Sequence, residues 1–143
     1  MIALDTNILI YAFRADSPKH EPARRALEAL IGSGRHLAIP WPCVHEFVAV
    51  TTNPRMPDPA PTKAALAAIR VLLEAPRVLA LAESEHHLEL LQELVLTSKV
   101  RGPRIHDARI AAICLGHGVG ELWTADRDFS DFPSLAVHNP LVG

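Results

Sequence analysis

The sequence predicts an α/β fold, a three-layer α/β/α sandwich around a central, mostly parallel sheet. Two observations carry that expectation. Short apolar runs bounded by turn residues alternate with longer stretches of helical periodicity, and strands separated by helices are joined by parallel crossovers. Apolar residues make up 49% of the 143 residues and charged residues 21%, enough for one core and too apolar for disorder. Only 5% is aromatic, so Ala and Leu must fill the interior.

Each element has a local reason. Ile2 to Leu4 is a short buried strand, and Asn7 to Phe13 a short helix after it. Ser17-Pro18 reads as a helix start, a cap residue followed by proline. Ala23, Ala26, Leu27, Leu30 and Ile31 then recur at helical spacing until Gly32 and Gly34. Leu37 to Ile39 is a second strand. Pro42 opens a helix through Phe47 and Val50 that Pro54 ends. Pro54, Pro57, Pro59 and Pro61 stiffen a connection that can be neither helix nor central strand. Ala64 to Glu74 is helical, Val78 to Leu81 a strand, and Ser84 caps a helix whose stripe is Leu88, Leu91, Leu94 and Val95. Ile105 to Leu115 is a helix of small residues, Leu122 to Thr124 a strand, and Ala136 to His138 a last one. No repeat or linker divides the chain, so residues 1–143 are expected to form a single domain.

Several classes are excluded. No apolar run approaches the ~20 residues of a membrane helix, and the acid at position 5 argues against a secretory leader, so a soluble cytoplasmic protein is expected. Cys43 and Cys114 lie far apart, without the CxxC spacing of a zinc site, and fit core positions. His45-Glu46 is not the start of HExxH, because position 49 is Ala. The net charge is −2, and Arg supplies most of the cations.

In parallel α/β sheets, chemistry sits at the carboxyl ends of the strands. Asp5 directly follows the first strand, and Asp126 follows Leu122-Trp123-Thr124, with Asp128 two residues on. Glu46 lies in a mostly apolar helix, and Asp107 in the first turn of another. Each acid has an ordinary explanation as a cap, a solvated helix residue or a partner of the helix dipole. Together they form an oxygen-only ligand set that suits Mg²⁺ or Mn²⁺ rather than zinc.

These residues resemble those of PIN-domain proteins of the VapC toxin type. The carriers are Ile2-Ala3-Leu4-Asp5-Thr6-Asn7-Ile8-Leu9, the helix with Glu46, His106-Asp107-Ala108-Arg109-Ile110-Ala111-Ala112, and Thr124-Ala125-Asp126-Arg127-Asp128-Phe129. The resemblance spans essentially the whole chain. It implies a Mg²⁺-dependent ribonuclease that hydrolyses RNA to a 5′-phosphate and a 3′-hydroxyl, with Mn²⁺ able to substitute. It also implies a cognate VapB-type antitoxin and a homodimer built through helices. By position, Asp5, Glu46, Asp107 and Asp126 would be the catalytic and metal-binding quartet, with Asp128 a further ligand and Thr6 and Thr124 in support. Arg109 and Arg127 are the candidates for the substrate phosphate, and the stripes near Leu66, Leu72, Leu88 and Leu91 for the dimer.

Two other readings use the same fold. A non-catalytic RNA- or protein-binding domain would share it, since fold does not fix function. An aspartyl-phosphate phosphatase or receiver-like domain also places an Asp at a strand end. The phosphatase needs a second Asp where this chain has Asn7, and the receiver a Lys after a late strand, where none follows Lys99.

Overall fold

A computed structural model describes residues 1–142. Five short strands, β1 (Ile2–Leu4), β2 (Leu37–Pro40), β3 (Val78–Leu81), β4 (Glu121–Trp123) and β5 (Val137–His138), form one sheet in the order β3-β2-β1-β4-β5. Every pairing is parallel, so the sheet is wholly rather than mostly parallel. Six helices connect the strands: α1 (Thr6–Phe13), α2 (His20–Gly32), α3 (Trp41–Thr51), α4 (Thr62–Leu73), α5 (His87–Ser98) and α6 (Ile105–Gly116). The chain steps from β1 to β2 to β3 in one direction, then crosses back over to β4. Right-handed crossovers therefore put α1–α4 on one face of the sheet and α5–α6 on the other, giving three layers.

The two faces explain the strand sequences. β1 and β2 are buried at every position, because helices cover both sides of them. β3 is partly exposed in its middle and β5 is exposed, as expected at the edges. Ile2, Leu4, Leu37, Ile39 and Leu122 are among the largest fully buried side chains. Each such aliphatic group contributes roughly 1.5–3 kcal/mol of burial. In α6, Ala108, Ala111 and Ala112 are fully buried, and their size lets the helix lie close to its neighbours. Gly116, at its end, is fixed by a close approach: a Cβ there would lie 2.7 Å from Ser84 Oγ.

Three local expectations are corrected. The helix expected from Ser17-Pro18 begins at His20; Ser17 closes a turn, its hydroxyl accepting from the Lys19 N–H and its carbonyl from the His20 N–H. Ser84 does not cap α5, which starts at His87 without a side-chain cap, because Ser84 Oγ is buried against α6. The apolar stripes are only partly core: Leu94 is buried and Leu72, Leu91 and Val95 pack against the core, but Leu66 and Leu88 are 51% and 70% exposed. Among the described residues, no helix is long and apolar enough to cross a membrane. Both cysteines are buried free thiols.

The strand order creates a switch point between β1 and β4, where the chain leaves the sheet in opposite directions and a crevice opens at the carboxyl edge.

Candidate functional site

Asp5 sits at that switch point. Its backbone N–H donates to the Trp123 carbonyl at 3.0 Å, fastening the end of β1 to the end of β4. Its side chain serves as the N-cap of α1, Oδ1 accepting from the Thr6 N–H at 2.8 Å. It does more than cap. Oδ1 also faces the Cys43 thiol at 3.6 Å, and Oδ2 accepts from the Thr124 hydroxyl at 2.7 Å and from the Asn7 amide at 3.2 Å. Asn7 continues the network, donating to Thr124 Oγ1 and accepting from the Ala125 N–H. Thr124 Oγ1 in turn accepts from the Asp126 N–H at 3.0 Å. One polar thread thus runs from Asp5 to Asp126 and fixes the geometry between the two strand ends.

Asp5 is only 5% exposed. Burial pushes its carboxyl above the usual carboxylate range; the hydrogen bonds from Thr124, Thr6 and Cys43 oppose this, and the Asp126 charge adds to it. A carboxylate this enclosed, with both oxygens engaged, is a poor nucleophile toward a phosphoryl group, which disfavours the aspartyl-phosphate reading.

The remaining acids arrive from three elements. Asp107 stands in the first turn of α6, and its carboxyl is pushed up by partial burial and then by the charges of Asp126 and Asp5, against the pull of Arg104. Asp126 caps the 3-10 turn Arg127–Asp131, its Oδ1 accepting from the Asp128 N–H at 2.9 Å. This cap curls the backbone and brings Asp128 round beside Asp126. One oxygen each of Asp107, Asp126 and Asp128 lie within 4.8 Å of one another. Glu46, on α3, is exposed as a residue, yet its carboxyl is raised by partial desolvation, then by Asp5 and Asp107, with His106 opposing. Asp5 and Glu46 feel the charges of this trio but lie outside it.

The threonines differ in role. Thr124 is fully engaged by Asp5, Asn7 and Asp126, whereas the buried hydroxyl of Thr6, next to Asp5, has no hydrogen-bond partner among the described residues.

The arginines are where sequence reasoning needs correction. Arg109 turns away from the acids, ion-paired through Nε and Nη2 to Glu83 at 2.7 and 2.6 Å. Arg127 is exposed and lines a cleft of about 330 Å³ with Asp126, Ser130, His138 and Asn139. The arginine at the acids is Arg104, whose Nε donates to Asp107 Oδ2 at 3.3 Å. Its signal in the sequence is the i, i+3 spacing to Asp107, and that of Asn7 its place two residues after Asp5.

The residues present suit a divalent cation. The donors are oxygens only, three carboxylates converge from two separate elements, and an orphaned buried hydroxyl stands beside a fourth.

Comparison with known proteins agrees with this architecture. The PIN domain matches residues 2–135. Ribonuclease VapC43 of Mycobacterium tuberculosis is 34% identical over 144 residues, covering 100% of this chain and 97% of its own. Among solved structures, FitAcB from Neisseria gonorrhoeae superposes with a TM-score of 0.75 at 21% identity, covering 100% of both chains. A toxin-antitoxin complex from Klebsiella pneumoniae gives a TM-score of 0.66 at 24% identity, covering 98% of both chains.

Proposed function

The chain belongs to the PIN-domain family, as a relative of the VapC ribonucleases, and from that premise we propose that it is a metal-dependent endoribonuclease acting as the toxin of a toxin–antitoxin pair. The observation that carries the proposal is the convergence of Asp107, Asp126 and Asp128 at the carboxyl edge, beside the raised carboxyls of Asp5 and Glu46. Acids that repel one another in a fold are tolerated where a cation or a reaction uses them.

Asp107, Asp126 and Asp128, with Asp5 and Glu46 alongside, would hold Mg²⁺ or Mn²⁺. A divalent ion bound there supplies a Lewis acid that acidifies water and offsets negative charge on a phosphate. Water attacks phosphorus in line, the P–O3′ bond breaks, the departing O3′ takes a proton from solvent, and the products carry a 5′-phosphate and a 3′-hydroxyl. The Glu46 carboxylate, accessible to solvent and made more basic by partial desolvation and the neighbouring Asp5 and Asp107 charges, takes the proton from the attacking water. Asp5 keeps its orientation through Thr124, Thr6 and Asn7, so its charge stays fixed while the substrate changes shape. Arg127, in the cleft beside Asp126, is placed to meet a flanking phosphate.

The whole chain acts as one PIN domain. Its partners are RNA, a VapB-type antitoxin and a second copy of itself, the exposed Leu66 and Leu88 being apolar surface for the dimer. Incubation of the purified chain with single-stranded RNA tests the reading. Cleavage should need Mg²⁺ or Mn²⁺, stop with chelator, and leave 5′-phosphate ends. An intact RNA pool with metal present would favour the non-catalytic RNA- or protein-binding alternative.

A further inference from the structure

Arg104 is the last residue of the 3-10 turn Gly102–Arg104, just before α6. Its guanidinium bridges two elements. On α6, Nε donates to Asp107 Oδ2 at 3.3 Å. On the facing turn, Nη2 donates to the Asp128 carbonyl at 3.0 Å and to the Asp131 carboxylate. The Asp128 carboxylate stands 3.7 Å from Nε.

The division of these contacts is informative. Nη2 is gripped by the Asp128 backbone carbonyl and by the Asp131 carboxylate, and neither of these oxygens is a carboxylate oxygen of the trio. The contacts with the trio's own carboxylates, Asp107 and Asp128, are longer. Arg104 is therefore anchored at the rim of the acid cluster and leans over it, and Nη1 meets no acceptor among the described residues. A guanidinium held in one plane by a dedicated carboxylate, with N–H groups unspent, is prepared for the tetrahedral oxygens of a phosphate. Arg109 is also held by one carboxylate, but Glu83 draws it away from the acid cluster, and Arg127 has no acid holding it among the described residues.

We infer that Arg104 binds a non-bridging oxygen of the RNA phosphate brought to the acid cluster, and that Asp131 is the positioning residue that orients it. This rests on the nuclease reading for its substrate, but concerns a group that reading does not contain. A plain ion pair fastening α6 to the 127–131 turn would need no free N–H and would not contribute to RNA binding.

The test is RNA affinity in an Asp5→Asn background, read by anisotropy of a labelled single-stranded RNA over a range of salt. Arg104→Gln should weaken binding about tenfold and lower the log–log salt slope by about one phosphate contact. Arg104→Lys should not restore it, because a lysine cannot be held by Asp131 and still present a fork. Asp131→Asn should weaken binding by a smaller factor, with a wild-type melting temperature confirming its fold, and it serves as the test if Arg104→Gln does not fold. Arg70→Gln, removing an equal charge from exposed α4, should change neither affinity nor slope. Unchanged affinity and slope in both Arg104→Gln and Asp131→Asn would overturn the inference, as would an equal loss in Arg70→Gln. The two readings fail separately. RNA cleavage at the wild-type rate by Arg104→Gln would remove the inference alone. Arg104-dependent RNA binding by a chain that cuts nothing would remove the nuclease reading alone.

Discussion

Two regions of this molecule bury charge, and they do so in opposite ways. At the end of α1, the Arg14 side chain is 8% exposed and is paired with an opposite charge: Nε and Nη2 donate to the two Asp16 oxygens, and Nη2 also donates to the carbonyls of Pro57 and Asp58. At the carboxyl edge, Asp5, Glu46 and Asp107 are raised by burial and by neighbouring acids, and among the described residues the cation hydrogen-bonded to the group is Arg104 at its rim. Charge that is satisfied in place marks a structural clip. Charge that the fold leaves in conflict marks a place where something else binds. The contrast also gives the proline-rich connection a role. Arg14 and the Ala60 N–H bond to the Thr51 carbonyl tie it down between α3 and α4.

Variants at the two regions should behave differently. Asp5→Asn carries the largest expected effect: RNA cleavage falls by more than roughly a hundredfold, beyond the usual cost of losing an outer-shell partner. Without metal the variant should melt no lower than wild type at neutral pH, because a disfavoured buried charge is gone, and Mn²⁺ should no longer raise its melting temperature as it does for wild type. A lower melt with cleavage intact would mean Asp5 only caps α1. Arg14→Met should do the reverse. Leaving the carbonyls of Pro57 and Asp58 without their donor costs about 1–3 kcal/mol in denaturant titration, while cleavage per folded molecule stays at the wild-type level.

A pH series sharpens the contrast with a smaller effect. A carboxyl raised in the fold stabilises fully below its unfolded pKa and loses that contribution as pH rises through the folded value. Asp5, Glu46 and Asp107 are of this kind, so the metal-free protein should lose melting temperature as pH climbs from about 4 toward neutrality, and Mn²⁺ should flatten the fall. Asp16, held low by the Arg14 hydrogen bond, behaves oppositely: its contribution is present above the unfolded value and lost as pH drops. Arg14→Met should remove that acid-side loss and leave the neutral-side slope alone. The smallest effect belongs to Arg109→Gln, which breaks a half-exposed pair with Glu83: under about 1 kcal/mol of stability and no change in cleavage.

Much of this was legible in the chain itself. Strand and helix alternation dictates parallel crossovers, and an acid directly after a buried strand must emerge at the carboxyl edge, so the fold class and the position of Asp5 follow from local pattern. The same holds for the all-oxygen character of the site, which residue type alone sets. Where local reading failed, a tertiary partner outbid a local one. Ser84 has the chemistry of a cap, but α6 and Gly116 press on it and leave α5 uncapped. Arg109 is two residues from Asp107, yet two residues turn a helix by roughly 200°, which points it at Glu83. Arg104 lies three residues before Asp107 and shares its face.

Residue type and local periodicity dictate which acids are available and that they stand at strand and helix ends, because burial periodicity and capping are local physics. Which of them meet depends on how the elements pack. The strand order sets β1 beside β4 and so threads Asp5 through Thr124 to Asp126, and the Asp126 cap curls Asp128 toward Asp107. Packing also decides which arginine is drawn away and which is poised, since an ion pair between residues 83 and 109, or 104 and 131, depends on distances through space that spacing along the chain does not encode.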